Sequence, residues 1–397
     1  MQEKDHGRAA APRREGVRPP AEPCQGGAGR GSGASAPSAA GIVAADPAGR
    51  EGVASFMRAY AALDLGTNNC RLLVARPSRR GFRVIDAFSR IIRLGEGVFS
   101  DGHLSPAAIE RTIEALHICA DKMQRHRVER SGLIATEACR LARNAPEFLQ
   151  RVHGETGLQI KIVTRETEAK LAVSGCASLI DASCDLVLVF DIGGGSSELI
   201  LLDLSRRKQA WRRSLVDRLE VQNCIAAWTS LPVGVVTLAE QFGGRSVTRS
   251  TFDRMVGHVA DLLGPFESEH HLRERIGHSR AHLLGTSGTV TTIAGVHLGL
   301  PRYDRSRVDG YWLEATQVRE VTRRLVEASY EERVAQPCIG KDRADLVLAG
   351  CAILEGVMQM WPCQNLRVAD RGLREGILAT LMAEDGAYDN RRNTRSG

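Results

Sequence analysis

The chain has 397 residues, of which 43% are hydrophobic and 25% are charged, so it is long enough for two globular domains with cores of their own. Aromatic residues make up only 5%, and the net charge of +6 is small, which argues against a nucleic-acid-binding surface but suits an acidic ligand. No apolar run approaches the roughly 20 residues that a membrane-spanning helix needs. Nucleic-acid and membrane partners are therefore not expected.

Ten cysteines are spread along the chain without a CxxC pair, and several of them lie inside apolar runs. A free cysteine in such a run behaves as a small apolar residue. This usage favours a reducing compartment, and a cytoplasmic location is expected.

The first segment, residues 1–54, is rich in Ala, Gly, Pro, Arg and Ser and has no periodic apolar pattern. Such a segment cannot bury enough apolar surface to offset the entropy lost on ordering, which predicts a disordered tail. It lacks the continuous apolar stretch of a secretory signal, and its acidic residues argue against an organelle transit peptide. A second disordered tail is predicted over residues 387–397.

Strands and helices are predicted from residue 58 onward. The segments "AYAALDL" and "CRLLVARP" predict two strands joined by a tight turn at residues 66–69, and "FRVIDAF" and "RIIRLGEGV" are expected to continue the sheet. Ser105 and Pro106 open a helix whose apolar residues recur at steps of three and four. A strand "RSGLIAT", a single helix "EACRLARNAPEFLQRVHGETG", a strand "QIKIV" and a helix "RETEAKLAVSGCASL" follow.

The second half begins in the same way, with "DLVLVFDIGGGSSELILLDL" predicting a strand, a turn and a strand. Further on, "VTLAEQF" and a segment near 250–263 predict helices, and "AHLLGTSGTVTTIAGV" is interpreted as a strand. Two more helices, the strand "NLRVADRG" and a closing helix "LREGILATLMAE" complete the pattern. Hairpins mixed with crossover helices indicate an α/β fold, with a boundary near residues 178–185.

One sequence pattern occurs twice. Asp64-Leu-Gly66 and Asp191-Ile-Gly193 each end an apolar strand and open a turn, and a domain-sized length of chain separates them. A recurrence on this scale suggests two halves built alike. A strand that runs into a glycine-rich turn exposes backbone N–H groups that can hold phosphate oxygens, and "GTSGTVTT" at 285–292 is a third such turn. One turn alone would be an ordinary hairpin, but three favour a phosphate site, without the GK[ST] of a Walker A loop.

Carboxylates beside these turns would repel a phosphate unless a cation lies between them. A hydrated Mg²⁺ suits that position, because it keeps waters and takes one or two carboxylates together with phosphate oxygens. Asp64, Asp191 and Glu198 are therefore predicted to hold Mg²⁺, directly or through water. The alternative for an aspartate at a strand end is that it caps the turn.

Taken together, these segments resemble the Ppx/GppA phosphatase family, the exopolyphosphatases and guanosine pentaphosphate phosphohydrolases of the actin, hexokinase and Hsp70 superfamily. The resemblance covers nearly everything from about residue 58 to 386. It is carried by "ALDLGTNNCRLLVA", "FDIGGGSSEL", "ATEACRLARN", "LPVGVVTLAEQF", "LLGTSGTVTT", "RADLVLAGCAILEG" and "DRGLREGIL".

The resemblance implies two ribonuclease-H-like (actin-like ATPase) domains, at residues 55–180 and 181–386, with a cleft between them and a closing helix 371–386 that could pack back on the first. It implies that Glu168 is the general base and that Glu198 helps to orient the attacking water. On spacing alone, Glu168 would be an exposed residue of a first helical turn. Phosphate-binding residues are expected in both loops, in the third turn and at three arginines: Gly66, Thr67, Asn68, Arg71, Arg93, Gly193, Gly194, Gly195, Ser196, Ser197, Gly288, Thr289 and Arg343.

The function implied is a Mg²⁺-dependent phosphohydrolase that removes the terminal phosphate of inorganic polyphosphate or guanosine pentaphosphate, and the resemblance also allows a homodimer. Two alternatives are a small-molecule kinase of the same superfamily and a non-catalytic nucleotide-binding regulatory protein. One departure concerns Asp309 in "RVDGYWL", where the family usually has histidine. If Asp309 faced the cleft, it could alter substrate preference.

Overall fold

The computed structural model describes residues 58–78, 81–206 and 219–387, and these residues belong to one compact unit. The tails predicted for residues 1–54 and 387–397 lie outside the described residues, apart from Ala387. None of the helices within the described ranges combines the length and the apolar character of a membrane span.

Five strands form the first sheet, in the order β3-β2-β1-β4-β5. They are Ala59–Leu65 (β1), Asn69–Ser78 (β2), Gly81–Ile91 (β3), Val128–Ala135 (β4) and Lys161–Ile162 (β5). β1 pairs antiparallel with β2 and parallel with β4. The helices of this half are Val98–Asp101 (α1), Pro106–Arg125 (α2), Glu137–Leu141 (α3), Ala145–Thr156 (α4) and Arg165–Cys176 (α5).

Six strands form the second sheet, in the order β10-β11-β9-β6-β7-β8. They are Leu186–Ile192 (β6), Ser197–Asp203 (β7), Ile225–Leu231 (β8), Ala281–Thr286 (β9), Trp312–Glu314 (β10) and Asn365–Ala369 (β11). β6 pairs antiparallel with β7 and parallel with β9, which repeats the arrangement of β1 with β2 and β4. The predicted α/β fold built on two related sheets is therefore confirmed.

The helices of the second half follow its strands in the chain. They are Val235–Phe242 (α6), Arg249–His270 (α7), Leu272–Gly277 (α8), Gly288–His297 (α9), Arg305–Val308 (α10), Ala315–Glu327 (α11), Tyr330–Ala335 (α12), Val347–Met360 (α13) and Leu373–Glu384 (α14). The core of this half is the larger one, and it lies where α7, α9, α11 and α13 pack on one face of the sheet.

The other faces of the two sheets exchange helices. α5 follows the first sheet in the chain, but its residue Val173 packs with Val187 and Ile200 of the second sheet. α14 follows the second sheet, but its residue Ile377 packs with Tyr60 of the first. The closing helix therefore lies on the first sheet, whereas the domain limits 55–180 and 181–386 stay a prediction.

α5 and α14 cross at a distance that only glycine permits. A Cβ atom on Gly175 would lie 1.8 Å from the carbonyl oxygen of Gly372. A Cβ atom on Gly376 would lie 2.0 Å from the carbonyl oxygen of Leu171. No side chain can occupy either place without separating the two helices.

The helix predicted over residues 137–157 is wrong in extent, because the chain forms two helices there, α3 and α4. Pro146 lies in the first turn of α4, where its missing N–H costs nothing but where it cannot continue a helix from α3. The Asn144 side chain accepts a hydrogen bond from Leu104 N (2.8 Å) and donates one to Leu104 O (3.0 Å). These bonds hold the break between the helices.

The strand predicted over residues 281–296 is also wrong, since it ends at Thr286 and continues as helix α9. Its β-branched residues favour strands by propensity alone. In the fold, the Thr291 hydroxyl donates to the Ser287 carbonyl (3.0 Å), and the helix is buried along most of its length. Two further strands differ from the prediction. β3 runs through "FRVIDAF" into "RIIRLGEGV" and ends at Ile91, and β5 has only two residues.

Candidate active site

The hairpins β1–β2 and β6–β7 have the same register. Asp64 lies opposite Arg71 in the first hairpin, and Asp191 lies opposite Glu198 in the second. The repeated pattern thus places an aspartate at the same point of each hairpin. It faces a cation in one hairpin and a carboxylate in the other, so the two loops contribute different chemistry.

Both loops reach a cleft between the sheets, which contains a cavity of about 140 Å³. Fifteen of the predicted site residues line it: Asp64, Gly66, Thr67, Asn68, Arg71, Glu168, Asp191, Gly193, Gly194, Gly195, Ser196, Glu198, Gly288, Thr289 and Arg343. Residues far apart in the sequence therefore meet at one cavity. Their chemical roles stay predictions.

The two loops also touch each other directly. A Cβ atom on Gly194 would lie 2.8 Å from Thr67 Cβ, and a Cβ atom on Gly195 would lie 2.9 Å from Thr67 Oγ1. The sequence interpretation assigned this bare backbone to phosphate approach. In the structure, these two glycines are needed first to let the loops close on one another.

Glu168 lies in the first turn of α5, which the Thr164 side chain caps by accepting from Thr167 N (3.2 Å). Its side chain is buried, and Arg140 Nη2 lies 2.8 Å from Oε2 in an ion pair without hydrogen-bond alignment. Burial raises the pKa of Glu168 well above its ordinary value, and the charge of Glu198 adds to the shift while Arg140 opposes it. Such a carboxylate is a strong proton acceptor once ionised.

Glu198 is buried near the start of β7, beside the second loop. Its Oε1 accepts hydrogen bonds from Ser196 Oγ (2.8 Å) and from Ser230 Oγ (2.9 Å). Burial raises the pKa of Glu198 to about 7, with a further contribution from the charge of Asp191. The Ser196 hydroxyl, predicted to donate to phosphate, donates to Glu198 in this structure, and its contact with phosphate stays a prediction.

Asp64 and Asp191 face the cleft from the two hairpins. Burial is the main cause that raises the pKa of both, and the charge of Asp64 helps to raise that of Asp191 to about 6. Among the described residues, no three His, Cys, Asp or Glu side chains are grouped so that they could hold a metal ion by themselves. The role of Asp64, Asp191 and Glu198 in holding a cation stays a prediction. What fits here is a cation that keeps waters and takes substrate oxygens, as Mg²⁺ does.

The third turn leads into the first turn of α9, whose leading residues Gly288 and Thr289 line the cavity. Ser287, just before the helix, has a φ of 81°. Interaction with the Ser287 side chain opposes the rise in the pKa of Asp191. A helix start leaves backbone N–H groups without intrahelical partners, and these suit an anion.

A family model, that of the Ppx/GppA phosphatase family, matches residues 73–385. The chain belongs to this family. The crystal structure of the Aquifex aeolicus family member is 29% identical, with a TM-score of 0.64, over 83% of this chain and 98% of the other. An exopolyphosphatase-like protein solved by the Northeast Structural Genomics Consortium is 25% identical, with a TM-score of 0.70, over 82% of this chain and 99% of the other. An exopolyphosphatase from Cytophaga hutchinsonii, 21% identical with a TM-score of 0.72 over 82% of this chain and 98% of the other, shares the fold.

Two predicted phosphate-binding residues of this Ppx/GppA chain do not line the cleft. Arg93 Nη1 donates to Asp345 Oδ2 (2.8 Å) and Nη2 donates to Asp345 Oδ1 (3.1 Å). Its guanidinium is therefore engaged in a bidentate ion pair. Ser197 is buried and donates to the Val233 carbonyl (2.7 Å), because alternate residues of β7 point away from the cleft. For these reasons neither residue lines the cleft, and their predicted contacts with phosphate stay predictions.

Two basic residues of the cleft, Arg371 and Arg374, were missed. Arg374, in the family segment "DRGLREGIL", lines the cavity, and burial lowers its pKa. Burial opposes ionisation of the next residue, Glu375, yet the charges of Arg374 and Arg305 lower its pKa below the ordinary value. In the described part of the chain, Arg374 and Arg71 have no carboxylate within ion-pair distance. The segment "DRGLREGIL" was the signal, but nothing local showed that its arginines turn inward.

The support behind Glu168 was also missed, although it lies in the quoted segment "ATEACRLARN". Glu137 is buried and accepts from Arg140 Nε (2.8 Å) and from Arg165 Nε (3.1 Å). Arg140 Nη1 also donates to the Val163 carbonyl (2.8 Å). Glu137 thereby fixes the guanidinium that faces Glu168.

Asp309, which replaces the usual family histidine, is not among the residues that line the cleft cavity. It accepts hydrogen bonds from Arg371 Nε (3.0 Å) and from Asp370 N (3.0 Å). Arg371 does line the cavity, and its Nη1 donates to Ser178 Oγ (3.0 Å). Asp309 therefore acts on the cleft through Arg371, which it holds in place.

Proposed function

We propose that this chain is a Mg²⁺-dependent phosphohydrolase that releases the terminal phosphate of inorganic polyphosphate, of guanosine pentaphosphate, or of both. The observation that carries the proposal is the position of Glu168. This buried carboxylate lies on the wall of a cleft whose other walls are two glycine-rich loops and a helix start. Membership in a phosphatase family supports the same class of reaction.

In this reaction, a water oxygen attacks the terminal phosphorus and the bridging P–O bond of the anhydride breaks. The products are orthophosphate and a substrate shortened by one phosphate. Glu168 accepts the proton of the attacking water, and its raised pKa suits it to that step. Glu198, held by Ser196 and Ser230, orients the same water.

The cleft holds the substrate by its phosphate oxygens. Backbone N–H groups of both loops and of the first turn of α9 bind the terminal phosphates. Arg71, Arg343 and Arg374 supply charge, and a guanidinium can contact a phosphate with two parallel hydrogen bonds. Asp64 and Asp191 would hold Mg²⁺, which would neutralise charge on the phosphate oxygens.

One assay tests the proposal. Purified protein with Mg²⁺ is given long-chain polyphosphate, tripolyphosphate, guanosine pentaphosphate and ATP in parallel, and orthophosphate is measured. Release from polyphosphate or from guanosine pentaphosphate, and its loss on adding EDTA, is expected. ATP turnover that depends on an added sugar or acetate would favour a kinase instead. Nucleotide binding without any phosphate release would favour a regulatory protein.

A cytoplasmic location is part of the same proposal. All nine cysteines of the described residues are free thiols, and seven of them are buried. Thiols that stay unpaired suit a reducing compartment. Fractionation of cells that express the chain, followed by detection of the protein in each fraction, tests this location.

A further inference from the structure

Beside the cleft lies a second cavity, here called the arginine groove, which the reaction above does not use. It is lined from the first half by Asn69, Arg90, Arg93 and Arg111 and from the second half by Asp342 and Arg343. Its volume is about 590 Å³. Asn69 and Arg343 line both cavities, so the groove continues from the cleft.

The groove carries more positive than negative charge. Its four arginines face two acidic residues, Glu96 and Asp342. Arg93 is neutralised by Asp345. In the described part of the chain, Arg90 and Arg343 have no carboxylate within ion-pair distance, and Arg90 lies over the ring of Phe88, 5.5 Å from its centroid.

The Arg111 guanidinium is fixed on the groove wall, where it can contact a ligand. Its Nε donates to the Ile92 carbonyl (3.0 Å), which fixes the direction of the guanidinium. Its Nη2 lies 3.3 Å from Glu96, but both side chains are exposed, at 42% and 57%. An exposed pair of this kind is worth little, so a multivalent anion can displace Glu96 from Arg111.

We propose that the arginine groove binds the phosphate groups of the substrate that lie beyond the bond being hydrolysed. The inference rests on the proposed function, because it takes the terminal phosphate to lie in the cleft. The rest of a longer substrate must then extend out of the cleft. The groove offers it a positive surface that begins at Asn69 and Arg343. A polyphosphate chain and the 3′-diphosphate of guanosine pentaphosphate present the same oxyanions to it.

The test compares the wild-type chain with Arg90→Ala and with Arg90→Ala/Arg111→Ala. For long-chain polyphosphate, the KM of the double variant is expected to rise about tenfold, since charge-assisted contacts to phosphate are lost. The dependence of that KM on salt should become less steep, because fewer charges are exchanged on binding. The kinetics with tripolyphosphate should stay unchanged. If the 3′-diphosphate is the ligand, KM rises instead for guanosine pentaphosphate and not for GTP.

The matched control is Arg83→Ala, which removes the same charge from an exposed residue of β3, seven positions and about 23 Å along the strand from Arg90. Arg90→Ala alone must also raise the KM for the long substrate. The double variant by itself is not sufficient, because Arg111→Ala also removes the hydrogen bond to the Ile92 carbonyl. Thermal unfolding checks that each variant is folded.

Two results would overturn the inference: equal losses with long and short substrates, or no change with any of them. These results differ from failure of the proposed function. In that case, the wild-type chain itself would release no phosphate from any substrate.

Discussion

Glu166 and Glu168 lie two positions apart in the first turn of α5. Carboxylates in a first turn usually stay exposed and interact with the helix dipole. Glu166 does so, and it pairs with Lys170 at 2.7 Å. Glu168 is only 9% exposed and lies between Arg140 and the charge of Glu198. Burial, rather than residue type, distinguishes the proposed base from its neighbour.

Replacing Glu168 by glutamine should lower kcat for phosphate release by about a hundred- to ten-thousandfold, because the amide cannot accept the proton of the attacking water. KM should change little, since the loops and arginines that hold the phosphates remain. Orthophosphate release under saturating substrate measures kcat.

Glu166→Gln is the control for this substitution, because it makes the same change on an exposed residue of the same turn. It should leave kcat within a factor of about two, since surface substitutions have small effects. Equal rates in the Glu168→Gln and wild-type proteins would show that Glu168 is not the general base.

At the scale of elements, the crossing of α5 and α14 joins the two sheets. α5 follows the first sheet in the chain but packs on the second, and α14 follows the second sheet but packs on the first. Their closest approach is at Gly175 and Gly376, where a Cβ atom would meet backbone rather than a movable side chain. The geometry of the cleft therefore depends on residues that never line it.

Gly175→Ala should destabilise the protein by on the order of 3 kcal/mol, because the added methyl group forces the helices apart. The urea midpoint of unfolding measures the change. Gly257→Ala is the control: this residue lies within α7 with open space around it, and alanine should stabilise its helix by up to about 1 kcal/mol. Similar midpoints for the two variants would contradict the account of the crossing.

A second joint between elements lies at Asp86, where β3 meets α2. The carboxylate accepts hydrogen bonds from Lys122 Nζ (2.7 Å) and His126 Nε2 (2.9 Å). The bond from Lys122 is the main cause that lowers the pKa of Asp86 below its ordinary value. A lowered pKa in the folded state means that ionised Asp86 stabilises the fold.

This stabilisation is present above the unfolded pKa of about 3.9 and is lost as the pH falls through the lower folded value. Asp86→Asn should therefore reduce the free energy of unfolding by about 1 kcal/mol near neutral pH, and the difference from wild type should shrink in acid. Urea unfolding across a pH series measures it. Asp121→Asn, at an exposed position of α2, should show no such pH dependence, and the same trend in both variants would contradict the assignment.

At the scale of the whole molecule, Arg93 and Asp345 connect the two halves. The two residues are 252 positions apart in the chain, and their side chains are 33% and 19% exposed. The pair lies beside the groove and contributes a bond between halves instead of a contact to the substrate. The sequence did not reveal this ion pair, because the partner of Arg93 comes from the other half.

Arg93→Ala and Asp345→Ala should each lower the free energy of unfolding by no more than about 1 kcal/mol, as expected for a partly exposed ion pair. The double variant should lose no more than either single variant, since both remove one interaction. Phosphate release should respond alike in the two single variants. A loss of activity in Arg93→Ala alone would instead indicate that Arg93 contacts the substrate.

The sequence by itself determined the repeated hairpins, the glycine turns, the start of α2 at Ser105 and Pro106, and the family. These features are local: alternation, turn chemistry and capping depend on residues close together in the chain. The pairing of β1 with β2 and of β6 with β7 follows from such patterns, and so does the place of Asp64 and Asp191.

Only the tertiary structure decided which polar groups remain available to a ligand. Arg93 forms an ion pair with Asp345, the Ser196 hydroxyl donates to Glu198, and Arg374 lines the cleft. It also decided that the threonine-rich segment after Thr286 is a helix. In each case a contact with a distant element outweighs the local preference, because a buried polar group must find its partner wherever the fold places one.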